Sequence, residues 1–197
     1  MLEPEQVALV LLAAGRSLRF DGDKLSELFL DKPLAFHVVT TLARVPFLAR
    51  IAVVSDTALD FGALGYSVVE NPDPSLGLAR SLHYGVAAAK ETGAEAVLVT
   101  LADMPRVTAA HIHRLFDRAH GPAAIVASSD GDSPMPPALF GRDLFDDLLS
   151  LEGDEGARAL IRRGHHVVAS PAELVDVDTR EHLADLRKLY GLETDGK

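Results

Sequence analysis

No cysteine occurs anywhere in the 197 residues, which rules out disulfides and thiolate zinc sites and permits a reducing compartment. Long apolar runs are missing too: none approaches the roughly 20 residues of a membrane-spanning helix. The opening MLEPEQ has neither a basic stretch nor an apolar core, so no secretory leader is expected and a cytoplasmic protein is. Positive charge is also in deficit. The formal net charge of −10 argues against a general nucleic-acid binder, whose affinity rests on phosphate neutralisation. An acidic chain can still bind a polyphosphate where local cations and a divalent metal screen the site. There is no internal repeat and no low-complexity linker. With 48% hydrophobic and 24% charged residues, the chain reads as a soluble globular protein. Its length suits a single domain over 1–197, with 1–6 and 193–197 expected to fray.

What is present centres on VALVLLAAGRSLRFDGDK, Val7 to Lys24. Val7 to Leu12 is six apolar residues in a row, too short for a helix and right for a strand buried on both faces. It opens into Ala13-Ala14-Gly15-Arg16-Ser17, small residues that let a backbone approach a ligand closely. The cations Arg19 and Lys24 follow, flanking Asp21, Gly22 and Asp23. A buried strand opening into such a loop is a common way for an α/β sheet to hold phosphates. Two known phosphate loops do not fit. A Walker A loop fails because Asp23 follows Gly22 and Leu25 follows Lys24; the dinucleotide fingerprint fails because only Gly15 is placed for it.

The pattern that fits is L-A-A-G-x-S-x-R-…-K, Leu12 to Lys24. It resembles the signature loop of the MobA-like nucleotidyltransferases that make molybdenum cofactor dinucleotides, and more broadly the sugar-nucleotide pyrophosphorylases. Further motifs follow in that family's order. Asn71 to Leu82 reads N-P-x-x-x-x-G-x-x-x-S-L, placing Gly77 and Ser81 at a helix N-terminus, where free N–H groups favour a polar or anionic ligand. Ala96 to Leu101 is a second buried strand ending in Asp103-Met104-Pro105, where ligands bind in open α/β sheets. Thr108 is placed to cap the next helix, to Arg118, so Asp103 is not needed for that. Leu148 to Arg158 resembles the family's L-x-G-D-x-G-A-R helix start, with Asp154 a cap or a ligand. Leu174 to Thr179 reads as a short strand resembling the family's D-x-D-T motif. Asp176 and Asp178 would share one face of it.

Other elements read as follows. Leu34 to about Arg44 is a helix with Leu34, Val38, Thr41 and Leu42 on one face. Ile51 to Val54, Tyr66 to Glu70 and the segment around Val126 are strands. A helix runs from Leu78 to about Thr92, Ser129 to Pro137 is a polar loop, and a last helix ends near Tyr190. None of the eight histidines has metal-ligand spacing, and they read as surface or core residues.

The resemblance implies a three-layer α/β/α fold with a mainly parallel, mixed sheet of the Rossmann-like nucleotide-diphospho-sugar transferase kind. It implies transfer of a nucleoside monophosphate from an NTP to a phosphorylated acceptor such as molybdopterin, releasing pyrophosphate. Arg19 and Lys24 would neutralise the β- and γ-phosphates. Leu12, Ala13, Ala14, Gly15, Ser17, Asn71, Gly77 and Ser81 would hold the nucleoside. Asp103 and Asp178 would hold Mg²⁺, with Asp176 in reserve. Ala-Ala-Gly resembles the cytidylyl form of the loop, pointing to CTP. Three departures stand out: Asp31 replaces a Gly, Asp21 holds a position usually given to Gly, and D-G-D-S-P-M-P-P-A-L-F replaces a Gly-His-Pro-like segment near the acceptor. Two other functions stay open: a cytidylyltransferase for a sugar or isoprenoid phosphate, and a non-catalytic cofactor chaperone for a molybdoenzyme client.

Overall fold

A computed structural model of the chain describes residues 1–15, 19–20, 22–153 and 156–192. Asp21, Asp154 and the 193–197 tail, on which three of the expectations above fall, lie outside the described residues. Strand β1 (Val7–Ala13) is buried along its whole length, as an unbroken apolar run requires. A two-residue pair, β2 (Leu28–Phe29) with β3 (Lys32–Pro33), then leads into helix α1 (Leu34–Leu42). The turn between them places its one left-handed residue at Leu30 (φ 54°), so Asp31 does not need the freedom of the glycine it replaces.

Strands β4 (Ala49–Val54) and β5 (Ser67–Glu70), helix α2 (Leu78–Glu91), strand β6 (Ala96–Leu101) and helix α3 (Ala109–Arg118) follow. Next come β7 (Ile125–Ser129), β8 (Pro134–Gly141), α4 (Phe145–Leu149), α5 (Arg158–Ile161), β9 (His165–Val168) and α6 (Arg180–Leu189). Seven strands form one sheet in the order β5-β4-β1-β6-β8-β7-β9, and β8 alone runs antiparallel to its neighbours. Side-chain alternation in β1 divides the core. Leu9, Leu11 and Ala13 pack with α1 and α3 on one face, while Ala8, Val10 and Leu12 pack with α2, α4 and α5 on the other. The result is the expected three-layer α/β/α arrangement. A smaller cluster of Phe20, Phe29, Leu34, Val177, Leu183 and Leu186 seats α6 over the β2–β3 pair.

Helix α2 lies close on the sheet because of Gly85. A Cβ there would come within 2.3 Å of Val10 Cγ1 and 3.2 Å of Val53 Cγ2. Thr108 caps α3, accepting from His111 N at 3.1 Å.

At the N-terminus Leu2 is buried, its N–H bonds Ala119 O at 3.0 Å, and Pro4–Gln6 forms a short 3₁₀ turn. Two expectations are corrected. The stretch 134–137 is not loop but the start of β8. Its prolines disguise it, yet β6 pairs only with Ala138–Gly141, and the β7 register shifts between Ala127 and Ser128. Pro136 and Pro137 fall in that shift, where no ladder N–H is required. His165 and His166, exposed and directly after a turn, open β9, a short parallel edge strand beside β7. The segment from Leu174 to Thr179 forms no strand. Val177 N bonds Asp103 O at 3.0 Å, just past the end of β6.

The β7–β8 junction is held from beneath by a relay that runs from the exposed Arg114 to the buried His111 and Ser128. Arg114 Nη2 donates to His111 Nδ1 at 3.0 Å, His111 Nε2 meets Ser128 Oγ at 2.7 Å, and Ser128 Oγ donates to Pro137 O at 2.8 Å. An arginine can only donate, so His111 Nδ1 is bare and Nε2 carries the proton. Burial, chiefly, holds the His111 pKa below its ordinary value, with Arg114 adding to the effect and Glu173 opposing it.

Candidate active site

A cavity of about 430 Å³ opens where β1 and β6 end and α2 begins, at the carboxyl edge of the parallel strands. Its floor is the end of β1 and the two residues that follow, Leu12 to Gly15. Gly15 faces free space, with no heavy atom within 4 Å of where a Cβ would stand, while Ala14 is 4% exposed. One wall is the start of α2. Gly77 has φ 93° and ψ 175°, a conformation that a residue with a Cβ rarely adopts, and it turns the chain so that Leu78 and Ser81 line the cavity.

Ser81 is locked from behind: Asn71 Nδ2 donates to its Oγ at 2.9 Å. Asn71 is fully buried, its N–H bonds Val54 O, and its Oδ1 accepts from Asp73 N. Expected to touch a nucleotide, Asn71 instead lies outside the cavity lining and orients the residue that does line it. Among the other expected site residues, Leu12, Ala13, Ala14, Gly15, Arg19, Lys24, Gly77, Ser81, Asp103 and Asp178 all line this cavity. Ser17 lies outside the described residues. The motif reading missed Leu25, Pro74, Ser75, Leu78 and Leu101, which also line it. Ser75 and Pro74 fall inside the N-P-x-x-x-x-G stretch, so its spacer positions were the available signal.

Charge is concentrated at one end. Lys24 Nζ contacts Asp103 Oδ2 at 2.6 Å and Asp178 Oδ1 at 3.2 Å, and Arg19 Nη1 contacts Asp178 Oδ2 at 3.3 Å. Side-chain exposure is 9% for Lys24, 15% for Asp103 and 77% for Arg19, so the first pair is a buried salt bridge and the last an open one. Burial alone would lower the Lys24 pKa, but Asp103 and Asp178 outweigh it and hold the ammonium above its ordinary value. Burial pushes the Asp103 carboxyl above the usual range; Lys24 opposes this, while Asp176 and Asp178 add to it.

The site's fit to a divalent cation rests on one atom. Asp103 Oδ1 is buried and, among the described residues, has no hydrogen-bond partner. An unmatched carboxylate oxygen beside a second carboxylate suits a hard cation that takes its remaining ligands from phosphates and water. Among the described residues no group of three or more His, Cys, Asp or Glu is arranged to hold a metal, so the protein's share would be Asp103 and Asp178.

A second cavity of about 430 Å³ shares Leu12, Leu78 and Leu101 with the first. Its lining is largely apolar, including Met104, Met135, Phe140 and Leu174, with Arg158, Arg162 and Asp176 as its charged members. Asp176 and Asp178 therefore do not serve one face: each lines a different cavity. The rigid alternation expected of a strand does not apply, because the segment carrying them is not one.

The geometry agrees with the comparisons to known proteins. Residues 9–168 match the MobA-like NTP transferase domain, and the chain belongs to that family of nucleotidyltransferases. The purine catabolism protein PucB of Bacillus subtilis is 31% identical over 196 residues, spanning 91% of this chain and 95% of PucB. The crystal structure of Rv0371c from Mycobacterium tuberculosis H37Rv superposes with a TM-score of 0.79 at 27% identity, covering 95% of this chain and 100% of that one. A structure of Rv0371C in complex with manganese superposes at 0.77 with 26% identity, covering 93% and 98%.

Proposed function

We propose that this chain transfers a cytidylyl group from CTP to the phosphate of molybdopterin or its molybdenum cofactor, releasing pyrophosphate with the help of Mg²⁺. The observation that carries the reading is the meeting of Lys24, Asp103 and Asp178 at the strand ends, with one Asp103 oxygen left unmatched. The triphosphate lies along the loop after β1, its β- and γ-phosphates against Arg19 and Lys24. Ser81, oriented by Asn71, meets the ribose or base. The Ala13-Ala14-Gly15 form of the loop resembles the cytidylyl form, which supports CTP as the donor.

Asp103 and Asp178 would hold Mg²⁺, which when bound would neutralise the negative charge that builds at the α-phosphate. The acceptor's phosphate oxygen attacks the α-phosphorus; the bond to the bridging oxygen of the β-phosphate breaks, and pyrophosphate leaves. No protein nucleophile takes part. The chain contributes positioning and fixed charge. The acceptor's body occupies the second cavity, whose apolar lining suits a flat ring system and whose arginines suit an anionic substituent. That same apolar lining favours an isoprenoid phosphate as the second reading; it is a poor match for a sugar.

Pyrophosphate release is measured with Mg²⁺, molybdopterin cofactor and each of CTP, GTP, ATP and UTP. Release with CTP alone is expected, and Asp103→Asn lowers the rate by roughly 10²-fold or more. Release with GTP would overturn the assignment of the base. Nucleotide binding without release would remove molybdopterin as the acceptor.

A further inference from the structure

We infer that Lys24 occupies the cation's place on Asp103 and Asp178 and yields it only when an entering polyphosphate takes its ammonium, so that metal and nucleotide bind as a coupled pair. This rests on the transferase reading above.

The argument begins with Asp103. A buried carboxylate needs a counter-charge, and here one ammonium, 2.6 Å from Asp103 and 3.2 Å from Asp178, serves both groups. A divalent cation bound to those carboxylates while Lys24 stayed in place would lie against a positive charge. Like charges at contact strongly disfavour such a state. Lys24 must therefore withdraw. Among the described residues its ion partners are Asp103 and Asp178 alone. The direction open to it is the cavity it already lines with Ala13, Gly15 and Arg19. Among the described residues that line it, that cavity offers no other anion to receive an ammonium unless a ligand brings one.

The converse holds for a nucleotide arriving without metal. Drawing Lys24 onto phosphate strips Asp103 Oδ2 of its partner, when Oδ1 has none and Asp176 and Asp178 stand nearby. Either ligand alone thus leaves a charge buried and unmatched. Arriving together, they exchange partners: the carboxylates go to the metal and the ammonium goes to the phosphates. Arg19 makes the same exchange at the rim, at lower cost, because it is mostly exposed.

The test uses the full chain, with Mn²⁺ as the metal probe, followed by electron paramagnetic resonance, and labelled CTP followed by equilibrium dialysis. Mn²⁺ alone is expected to bind Lys24→Met more tightly than the unaltered protein, by roughly tenfold or more, once the competing charge is gone. Adding Asp103→Asn to that variant removes the gain. In EDTA, CTP is expected to bind Asp103→Asn more tightly than the unaltered protein, because Lys24 is then less firmly held. Lys24→Gln repeats the first comparison with a side chain that still hydrogen-bonds the carboxylates, and circular dichroism confirms that each variant folds. Equal Mn²⁺ affinity with and without Lys24, and lost with Asp103→Asn, would overturn the exchange while leaving the metal site and the transferase reading intact. Mn²⁺ affinity indifferent to both Lys24 and Asp103 would overturn both.

Discussion

Gly85→Ala sets two effects of known size against each other. In an open helix, exchanging glycine for alanine stabilises by about 1 kcal/mol, through reduced chain entropy in the unfolded state and better helix propensity. At this position the new Cβ would stand 2.3 Å from Val10 Cγ1, and Val10 sits in the fully buried central strand β1. A branched side chain there has no free rotamer to retreat into, so α2 must lift from the sheet. Overpacking of this kind costs about 1–3 kcal/mol. Overpacking offsets the gain or exceeds it, and the net expectation is a loss of up to about 2 kcal/mol. In urea the unfolding midpoint should fall by up to roughly 1 M. Because Gly77, Leu78 and Ser81 ride on the first turn of α2, the lift also displaces one wall of the nucleotide cavity, and nucleotide affinity falls with it. Val10→Ala in the same chain provides room. The double variant should be more stable than the sum of the two single changes predicts, by about 0.5–3 kcal/mol. A Gly85→Ala protein that unfolds at higher urea than the parent would refute the close-packing argument.

His111 and the second cavity offer further tests. The folded pKa of His111 lies below its ordinary value of 6.5, so the unfolded chain takes up this proton first as pH falls. Stability is then full above about pH 6.5 and drops as pH falls toward the folded value, by up to about 1.4 kcal/mol per pH unit for this one group. Denaturation midpoints at pH 7.5 and 5.5 should show a smaller difference in His111→Gln than in the parent, and an unchanged difference would remove the buried histidine as its source. Replacing Arg158 and Arg162 together by alanine should raise the acceptor KM by roughly tenfold or more while leaving the CTP KM within about twofold. Equal rises in both would show that these arginines do not belong to a separate acceptor cavity.

Much of the fold was legible because its central strands are extreme. β1 and β6 are apolar runs flanked by turn residues, and burial on both faces leaves such runs little alternative. The site was legible where one short stretch carries both backbone and chemistry, as in Ala13-Ala14-Gly15 or Asp103-Met104-Pro105. What escaped were features made by distant or irregular parts of the chain. β8 was hidden by three prolines that stand where the ladder is interrupted or has no β6 partner. Asp176 and Asp178 were placed on one face by a strand period that their segment does not obey. The contact of Lys24 with Asp103 joins residues 79 apart, and no local pattern announces it. Asn71 was singled out by its motif, but its bond to Ser81 was not, since a motif does not record whether a side chain faces a cavity or the residue beside it.

Because β8 runs against its neighbours, the chain leaves the sheet at Ser129, turns through 130–133 and re-enters at Pro134 on the same edge. The hairpin so formed walls the second cavity through Ser133, Pro134 and Met135. β8 meets β6 only at Ala96–Val99, so the last residues before Asp103 carry no bond to it. Insertions or rewritten residues in this hairpin can therefore be absorbed without transmitting strain to the strand end that presents Asp103, to the loop after β1, or to α2. On the transferase reading proposed above, the wall that would meet the acceptor and the strand end that would meet the triphosphate are thus separate parts of the sheet, so a change of acceptor would call for editing one short turn.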